Sequence, residues 1–591
     1  MITQFTGNQQ RGLSGRKNKP LKMKLTRILI LAALGSLFPV ISAAQAQYSN
    51  YQSSLQKMVT LSRTYPALCS ARSLGKTDGG KDIMVLEIGT GEKGNKPGIA
   101  IIGSIEGSYI LGKELALGFA DSILKEASTP EIMALLEKVT FYVIPDVCPD
   151  ATEQYFQKIR YERNVNVRPV DEDKDFTTDE DPCEDLNNDG FITMIRVSDS
   201  SGTFKESTED KRVMVPADPS KGERGSYFIY SEGFDNDKDG KYNEDGTGGV
   251  NFNRNLSYNY EEFGSNAGLH PVSEPETKAV IDFLFDRYNI YAIFSFGPQD
   301  NLNQSARPGE RGSQTQQQNQ QAGQEQLQDQ RGTGTAPEGG QMPRMGERRM
   351  SSVQRSDETV IKLVAEKYRE ITGVKGSPPS KPAQGNFADW AYYHYGRYSF
   401  STPAWWPPAE RDKNAEAAFL KYSEENNITD VFVPWTQIEH PDFPGKKTEV
   451  GGIKPFYMLN PPADKLEGLI SGNYRFITAI AEMHPELEFI DVMTENKGEK
   501  IYRISLKVHN KGLFATCTEA GQNNIFTRLM RLSLETGKGQ SLLSGQKIQR
   551  IPRLTGNGTA EYSWLIMGKG VINISAGAVN TGFVKTVIEL K

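Results

Sequence analysis

Two acidic runs carry the plainest chemistry in this chain of 591 residues. Asp185-Leu186-Asn187-Asn188-Asp189-Gly190-Phe191-Ile192-Thr193 sets oxygen-bearing side chains at alternate positions, then a glycine for a sharp turn and an apolar anchor. Asp235-Asn236-Asp237-Lys238-Asp239-Gly240-Lys241-Tyr242-Asn243 repeats the pattern. This is the first half of an EF-hand-type loop, whose hard oxygen donors suit calcium better than zinc. The twelfth position should be a bidentate Glu, but it is Arg196 in one run and Gly246 in the other, so a complete EF-hand is not expected. The calcium candidates are Asp185, Asn187, Asp189, Asp235, Asp237 and Asp239, with a structural ion pinning long loops. The alternative is a pair of solvated acidic loops.

Softer metal chemistry is scarce. The five histidines, His270, His394, His440, His484 and His509, include no pair with ligand spacing such as His-x-x-x-His. Four cysteines, Cys69, Cys148, Cys183 and Cys517, form no Cys-x-x-Cys pair, and their wide spacing leaves three disulfide connectivities open.

The elements that would position these groups follow from periodicity. Tyr48 to Thr64 and Tyr109 to Ala127 have helical spacing, whereas Lys81 to Ile88, Pro97 to Gly103, Val139 to Pro145 and Ile290 to Phe296 read as strands, mostly continuous apolar runs of the buried kind. Strand, helix and strand in alternation imply an α/β domain with a largely parallel sheet. Ser273-Glu274-Pro275-Glu276 has the form of a capping box opening a helix to Tyr288, and another helix spans Glu358 to Ile371. Between them, residues 301–357 turn to Gln, Gly, Arg and Pro with little to bury, which predicts a disordered insertion. From residue 487 to 591 short alternating strands separated by Gly and Asn turns predict a β-sandwich domain, after an α/β domain over 47–485.

Composition bounds the function. Hydrophobic residues at 37% and charged residues at 24% support a large core and exclude a wholly disordered chain and a polytopic membrane protein. Residues 1–46 hold seven Lys and Arg and no acid, leaving about −13 on the remainder, so no nucleic-acid partner is expected. Those basic residues precede the apolar run Ile28 to Ile41 and Ala44-Gln45-Ala46, the form of a signal peptide over 1–46. Export to the periplasm or outside the cell is expected, with no membrane span after cleavage.

Longer runs recur in a telling order: Gly75-Lys76 with Gly80-Lys81-Asp82-Ile83, Pro145-Asp146-Val147-Cys148-Pro149-Asp150, and Gly249-Val250-Asn251-Phe252-Asn253-Arg254-Asn255. They continue with Ser273-Glu274-Pro275-Glu276-Thr277 and with Asp389-Trp390 leading to Tyr398-Ser399-Phe400. Together these resemble the secreted zinc carboxypeptidases of the A/B type, particularly bacterial relatives with a C-terminal β-sandwich. The resemblance implies a mixed α/β fold with a central eight-stranded sheet flanked by helices.

The resemblance also implies a zinc held by a His-x-x-Glu pair and a later His, with one position open for the attacking water. Here those positions read Glu106, Tyr109 and Phe294, which are not expected to bind zinc. The general-base Glu of the family falls on Pro403, so no catalytic position is intact. The family's mobile Tyr has Lys381 nearest in register. Asn253 and Arg254 match the pair that binds a free C-terminal carboxylate, and Arg163 is a looser match to the Arg that polarises the scissile carbonyl. A structural role for Arg254, fixing the adjacent loop, stays open.

Three readings follow. The first is an exported carboxypeptidase-like protein, catalytically inactive, that binds peptide or protein C-termini through the former active-site cleft. The second is an active zinc metallocarboxypeptidase or related hydrolase with an atypical site around Glu106 and Lys381. The third is an exported scaffold.

Overall fold

Gly98-Ile99-Ala100-Ile101-Ile102 has no polar side chain, and a strand of this kind is stable only with both faces covered. The computed structural model describes residues 47–591 apart from 172–175, 244, 304–351, 377, 379–382 and 409–412. The signal-peptide segment, most of the Gln-rich insertion and Lys381 lie outside the described residues.

The chain enters through helix α1 (Tyr51–Thr64), whose Asn50 cap accepts the Ser53 backbone N–H at 2.9 Å. A hairpin follows, β1 (Cys69–Lys76) with β2 (Asp82–Ile88), then β3 (Gly98–Ile102), α2 (Leu111–Lys125), α3 (Pro130–Lys138) and β4 (Thr140–Ile144). Four short strands come next: β5 (Met194–Ser198), β6 (Phe204–Glu206), β7 (Met214–Pro216) and β8 (Tyr227–Ser231). They lead to α4 (Pro275–Asp286), β9 (Ile290–Phe296), α5 (Arg355–Thr372) and β10 (Tyr398–Thr402). Then come α6 (Ala415–Glu425), β11 (Phe432–Ile438), β12 (Thr448–Ile453) and α7 (Leu466–Ala481).

The central sheet runs β1-β2-β4-β3-β9-β10. It is antiparallel from β1 to β4 and parallel from β4 to β10. One face packs on α2, α5 and α7 through Phe119, Tyr368 and Phe476. The other packs on α4 and the segment around Trp390 and Tyr395.

Where the resemblance implies eight strands in this sheet, the described residues give six. A second six-stranded sheet, β11-β12-β5-β8-β6-β7, is built from segments far apart in sequence. The capping box is also replaced. Glu274 is the residue before α4, and no side chain caps the helix. Ser273 instead donates its hydroxyl to Glu274 Oε1 at 2.6 Å, while Glu276 turns inward to Asn166.

The trailing segment forms two four-stranded antiparallel sheets around Ile504, Leu506, Trp564, Ile572 and Ile574. It is tied to the α/β part at the start of α5. There Asp357 receives Arg553 Nη2 at 2.7 Å, the Tyr392 hydroxyl at 2.9 Å and the Glu519 backbone N–H at 2.9 Å. Asn301 also belongs to the fold, since its Nδ2 donates to Ser399 O at 2.9 Å and its Oδ1 accepts the Ser401 N–H at 2.9 Å. The expected insertion is therefore narrower at both ends than residues 301–357. All four cysteines are free thiols. Among the described residues no helix is long and apolar enough to cross a membrane.

Candidate functional site

Parallel strands deliver their C-terminal loops to one edge of a sheet, where α/β folds place ligand sites. After β3 the chain passes through Ser104, held at φ 44°, and reaches Glu106 before α2 begins. Glu106 Oε1 accepts a hydrogen bond from Asn253 Nδ2 at 2.8 Å. Asn253 is fully buried, and its orientation is determined by the backbone, because its Oδ1 accepts the Phe387 N–H at 2.9 Å. Both hydrogens of its amide are thus turned to acceptors, Glu106 Oε1 and Gln299 Oε1, each at 2.8 Å. Gln299 must present its oxygen to Asn253, which leaves its own NH₂ buried without a partner.

Burial pushes the Glu106 carboxyl above its ordinary range, against the pull of the Asn253 hydrogen bond and the Arg254 charge. Arg254 follows Asn253 directly and donates Nη1 to Ser265 O at 2.8 Å. Tyr109 stands close to Glu106 and Glu162, and burial together with those carboxylates keeps its phenol protonated. Glu162 accepts the Phe456 N–H at 2.7 Å, and burial raises its carboxyl as well.

The remaining family positions lie elsewhere. Phe294, on β9, points into the core, stacked on Phe400 at 5.2 Å between ring centroids and edge-on to Phe476 at 5.5 Å. Pro403 is buried just past β10 and carries no carboxylate. Arg163 folds onto its own loop, donating Nε to Val165 O at 3.1 Å and Nη2 to Asn166 O at 2.7 Å. A hydrocarbon ring, a phenol and a single carboxylate do not make a zinc set.

A cleft of about 1260 Å³ opens beside this site, between the 161–166 loop and the second sheet. Tyr161, Arg163, Met194, Trp435 and Lys454 line it. Ser265, whose carbonyl accepts from Arg254, is also on its wall, so Arg254 adjoins the cleft.

The two acidic loops differ. In the first, Asp185 accepts the Asp189 N–H at 3.1 Å and the Gly190 N–H at 2.8 Å, and Asp189 accepts the Phe191 N–H at 2.8 Å. Its oxygens are engaged in closing the turn. The second closes its turn in the same way, Asp235 accepting the Gly240 N–H at 3.1 Å and Asp239 the Lys241 N–H at 2.7 Å, but here Asp235, Asp237 and Asp239 also offer oxygens within 4.8 Å of one another. Asp235 Oδ1 there is buried with no donor. Among the described residues this is the one convergence of three carboxylate, His or Cys ligands.

Residues 54–199 match the family described as zinc carboxypeptidase. Over this stretch the chain is similar to the zinc carboxypeptidases. Residues 486–589 match a domain of unknown function. Carboxypeptidase M of Mus musculus is 26% identical over 124 residues, 20% of this chain and 28% of that protein. Carboxypeptidase E of Caenorhabditis elegans is 26% identical over 144 residues, 22% of this chain and 30% of that protein. The carboxypeptidase-like chain therefore spans less than a third of the length of these curated relatives. Among solved structures, carboxypeptidase A from Helicoverpa armigera aligns over 74% of this chain and 75% of its own, with a TM-score of 0.37 and 13% identity. Bovine thrombin-activatable fibrinolysis inhibitor, solved with a tick carboxypeptidase inhibitor, aligns over 74% and 97%, with a TM-score of 0.37 and 14% identity.

Sequence reasoning places Glu106, Asn253 and Arg254 in one site, and the fold brings them together. It missed Gln299, Glu162 and the second sheet. Gln299 had a signal, since it lies three residues past the end of β9, on the same sheet edge as Glu106.

Proposed function

We propose that this chain is an exported carboxypeptidase-like binding protein without peptidase activity, which holds peptide or protein C-termini at Arg254 and in the adjoining cleft. The observation that carries this reading is the burial of Phe294 between Phe400 and Phe476, which puts a ring with no donor atom in a packed core at the family's third zinc position. Glu106, at the first position, is held by Asn253 in an internal network. Arg254 keeps a planar guanidinium, suited to a carboxylate, at the rim of the cleft.

Calcium, in this reading, is a structural ion on the Asp235, Asp237 and Asp239 loop. It would neutralise three carboxylates that crowd one another and hold the loop beside the second sheet. Zinc has no step in it, because the residues at the family positions do not suit that ion.

The test is a panel of peptides with free and amidated C-termini, measured for binding by calorimetry and for hydrolysis with added zinc. Binding that needs the free carboxylate, with no turnover, is the expected result. Zinc-dependent hydrolysis abolished by a chelator sinks the reading.

A further inference from the structure

The Asn253 network orders the donors and acceptors around it. One nitrogen bonds both Glu106 Oε1 and Gln299 Oε1 at 2.8 Å, which sets those oxygens about 5 Å apart. Gln299, 8% exposed, then has a buried NH₂ with no acceptor, and such a group costs free energy until an oxygen meets it. Glu106 has no cationic side chain bonded to it among the described residues, and burial without such a partner disfavours its charged form. An approaching cation would therefore gain more here than at an exposed carboxylate. Arg254 has the opposite character, a guanidinium with one side-chain bond among the described residues, to Ser265 O. It neighbours Asn253 in sequence and is close enough for its charge to act on Glu106.

Glu106 offers a carboxylate and Arg254 a guanidinium, so one ligand that meets both must carry a positive and a negative group. Asn253 bonds Glu106 and directly precedes Arg254, whose charge acts on Glu106, so a ligand that meets both carries its opposite charges about one or two residues' length of backbone apart.

We propose that Glu106, Gln299 and Arg254 together recognise a short zwitterionic peptide, with its ammonium on Glu106, a carbonyl oxygen on Gln299 and its carboxylate on Arg254. This rests on the reading that Arg254 takes a carboxylate. It adds that the amino end is read as well, which a protein that grips only the C-terminus of long chains would not do.

The experiment is calorimetric titration of the full chain with Ala-Ala, N-acetyl-Ala-Ala and Ala-Ala amide. Loss of the ammonium by acetylation should weaken binding about tenfold or more, as removal of a charge-assisted hydrogen bond does. Glu106→Gln keeps an oxygen for Asn253 and should fold. In that variant Ala-Ala and its acetylated form should bind within about twofold of each other, with discrimination against the amide intact. Equal binding of Ala-Ala and N-acetyl-Ala-Ala to the native chain overturns the inference and leaves carboxylate binding standing. Equal binding of Ala-Ala and its amide overturns the Arg254 reading and this inference with it. Absence of Ala-Ala binding at millimolar concentration also overturns the inference.

Discussion

Asp357 and Arg553 form a buried ion pair at 2.7 Å, with side chains 0% and 9% exposed, that joins the first turn of α5 to the trailing β-sheets. Two charges out of water are tolerated because the pair is saturated. Asp357 also accepts from Tyr392 and from the Glu519 backbone, and Arg553 Nε donates to Cys517 O at 2.8 Å.

Breaking that pair should be costly. Asp357→Ala should destabilise the chain by about 3–5 kcal/mol, since it strands a buried guanidinium. Denaturant unfolding of the single variants and of Asp357→Ala with Arg553→Met gives the coupling. A loss under about 1 kcal/mol would assign the joint to apolar packing instead.

Returning imidazole to β9 should fail structurally. Phe294→His removes ring contacts with Phe400 and Phe476 and buries a polar ring with no partner among the residues described around it. Urea titration should show a loss of about 3 kcal/mol. Metal analysis of this variant should find no stoichiometric zinc.

Glu276 makes stability depend on pH. Burial chiefly, with the Glu274 charge adding and the Asn166 bond opposing, pushes its carboxyl from 4.5 to about 7. A raised folded-state value means that the contribution is full below about pH 4.5 and is lost as pH rises through about 7. Glu276→Gln keeps an acceptor for Asn166 and removes the ionisation. Its melting temperature should fall less steeply across that window than that of the native chain, with a relative gain of up to ~3 kcal/mol above it. Parallel melting curves from pH 4 to 8 would show that Glu276 does not titrate there.

Calcium should raise the melting temperature. At a concentration about a hundredfold above the dissociation constant, a site specific to the folded state adds ~2.7 kcal/mol. Asp237→Ala should lose the response, whereas Asp189→Ala, outside the group of three converging carboxylates, should keep it. An unchanged response in Asp237→Ala would move the ion elsewhere.

The central sheet was legible because its strands advertise themselves. β9 is seven consecutive buried residues, and its expected limits, Ile290 to Phe296, are those found. Helix α2 starts at Leu111 and not Tyr109 because the Tyr109 N–H bonds Glu106 O in the preceding turn, a detail that periodicity does not carry. The second sheet was not legible. β8 is half-buried at every position, so it has no alternation to read, and β5 pairs with β12 some 250 residues away. Within the site, Arg163 lines the cleft while its guanidinium donates to two carbonyls of its own loop, a pairing that motif spacing does not carry. Glu106 was recognised as out of pattern. Its partner could not be, since Asn253 reaches it only through the folding of two loops 147 positions apart.

The Asp357 joint also bears on how this gene product can be cut. A fragment ending near residue 485 would carry a sealed-in carboxylate robbed of its counter-charge, and the excised tail would carry the mirror-image defect at Arg553. Each half cut free should therefore be less stable than it is within the whole chain. The trailing sheets are thus part of the architecture on which the carboxypeptidase-like part depends.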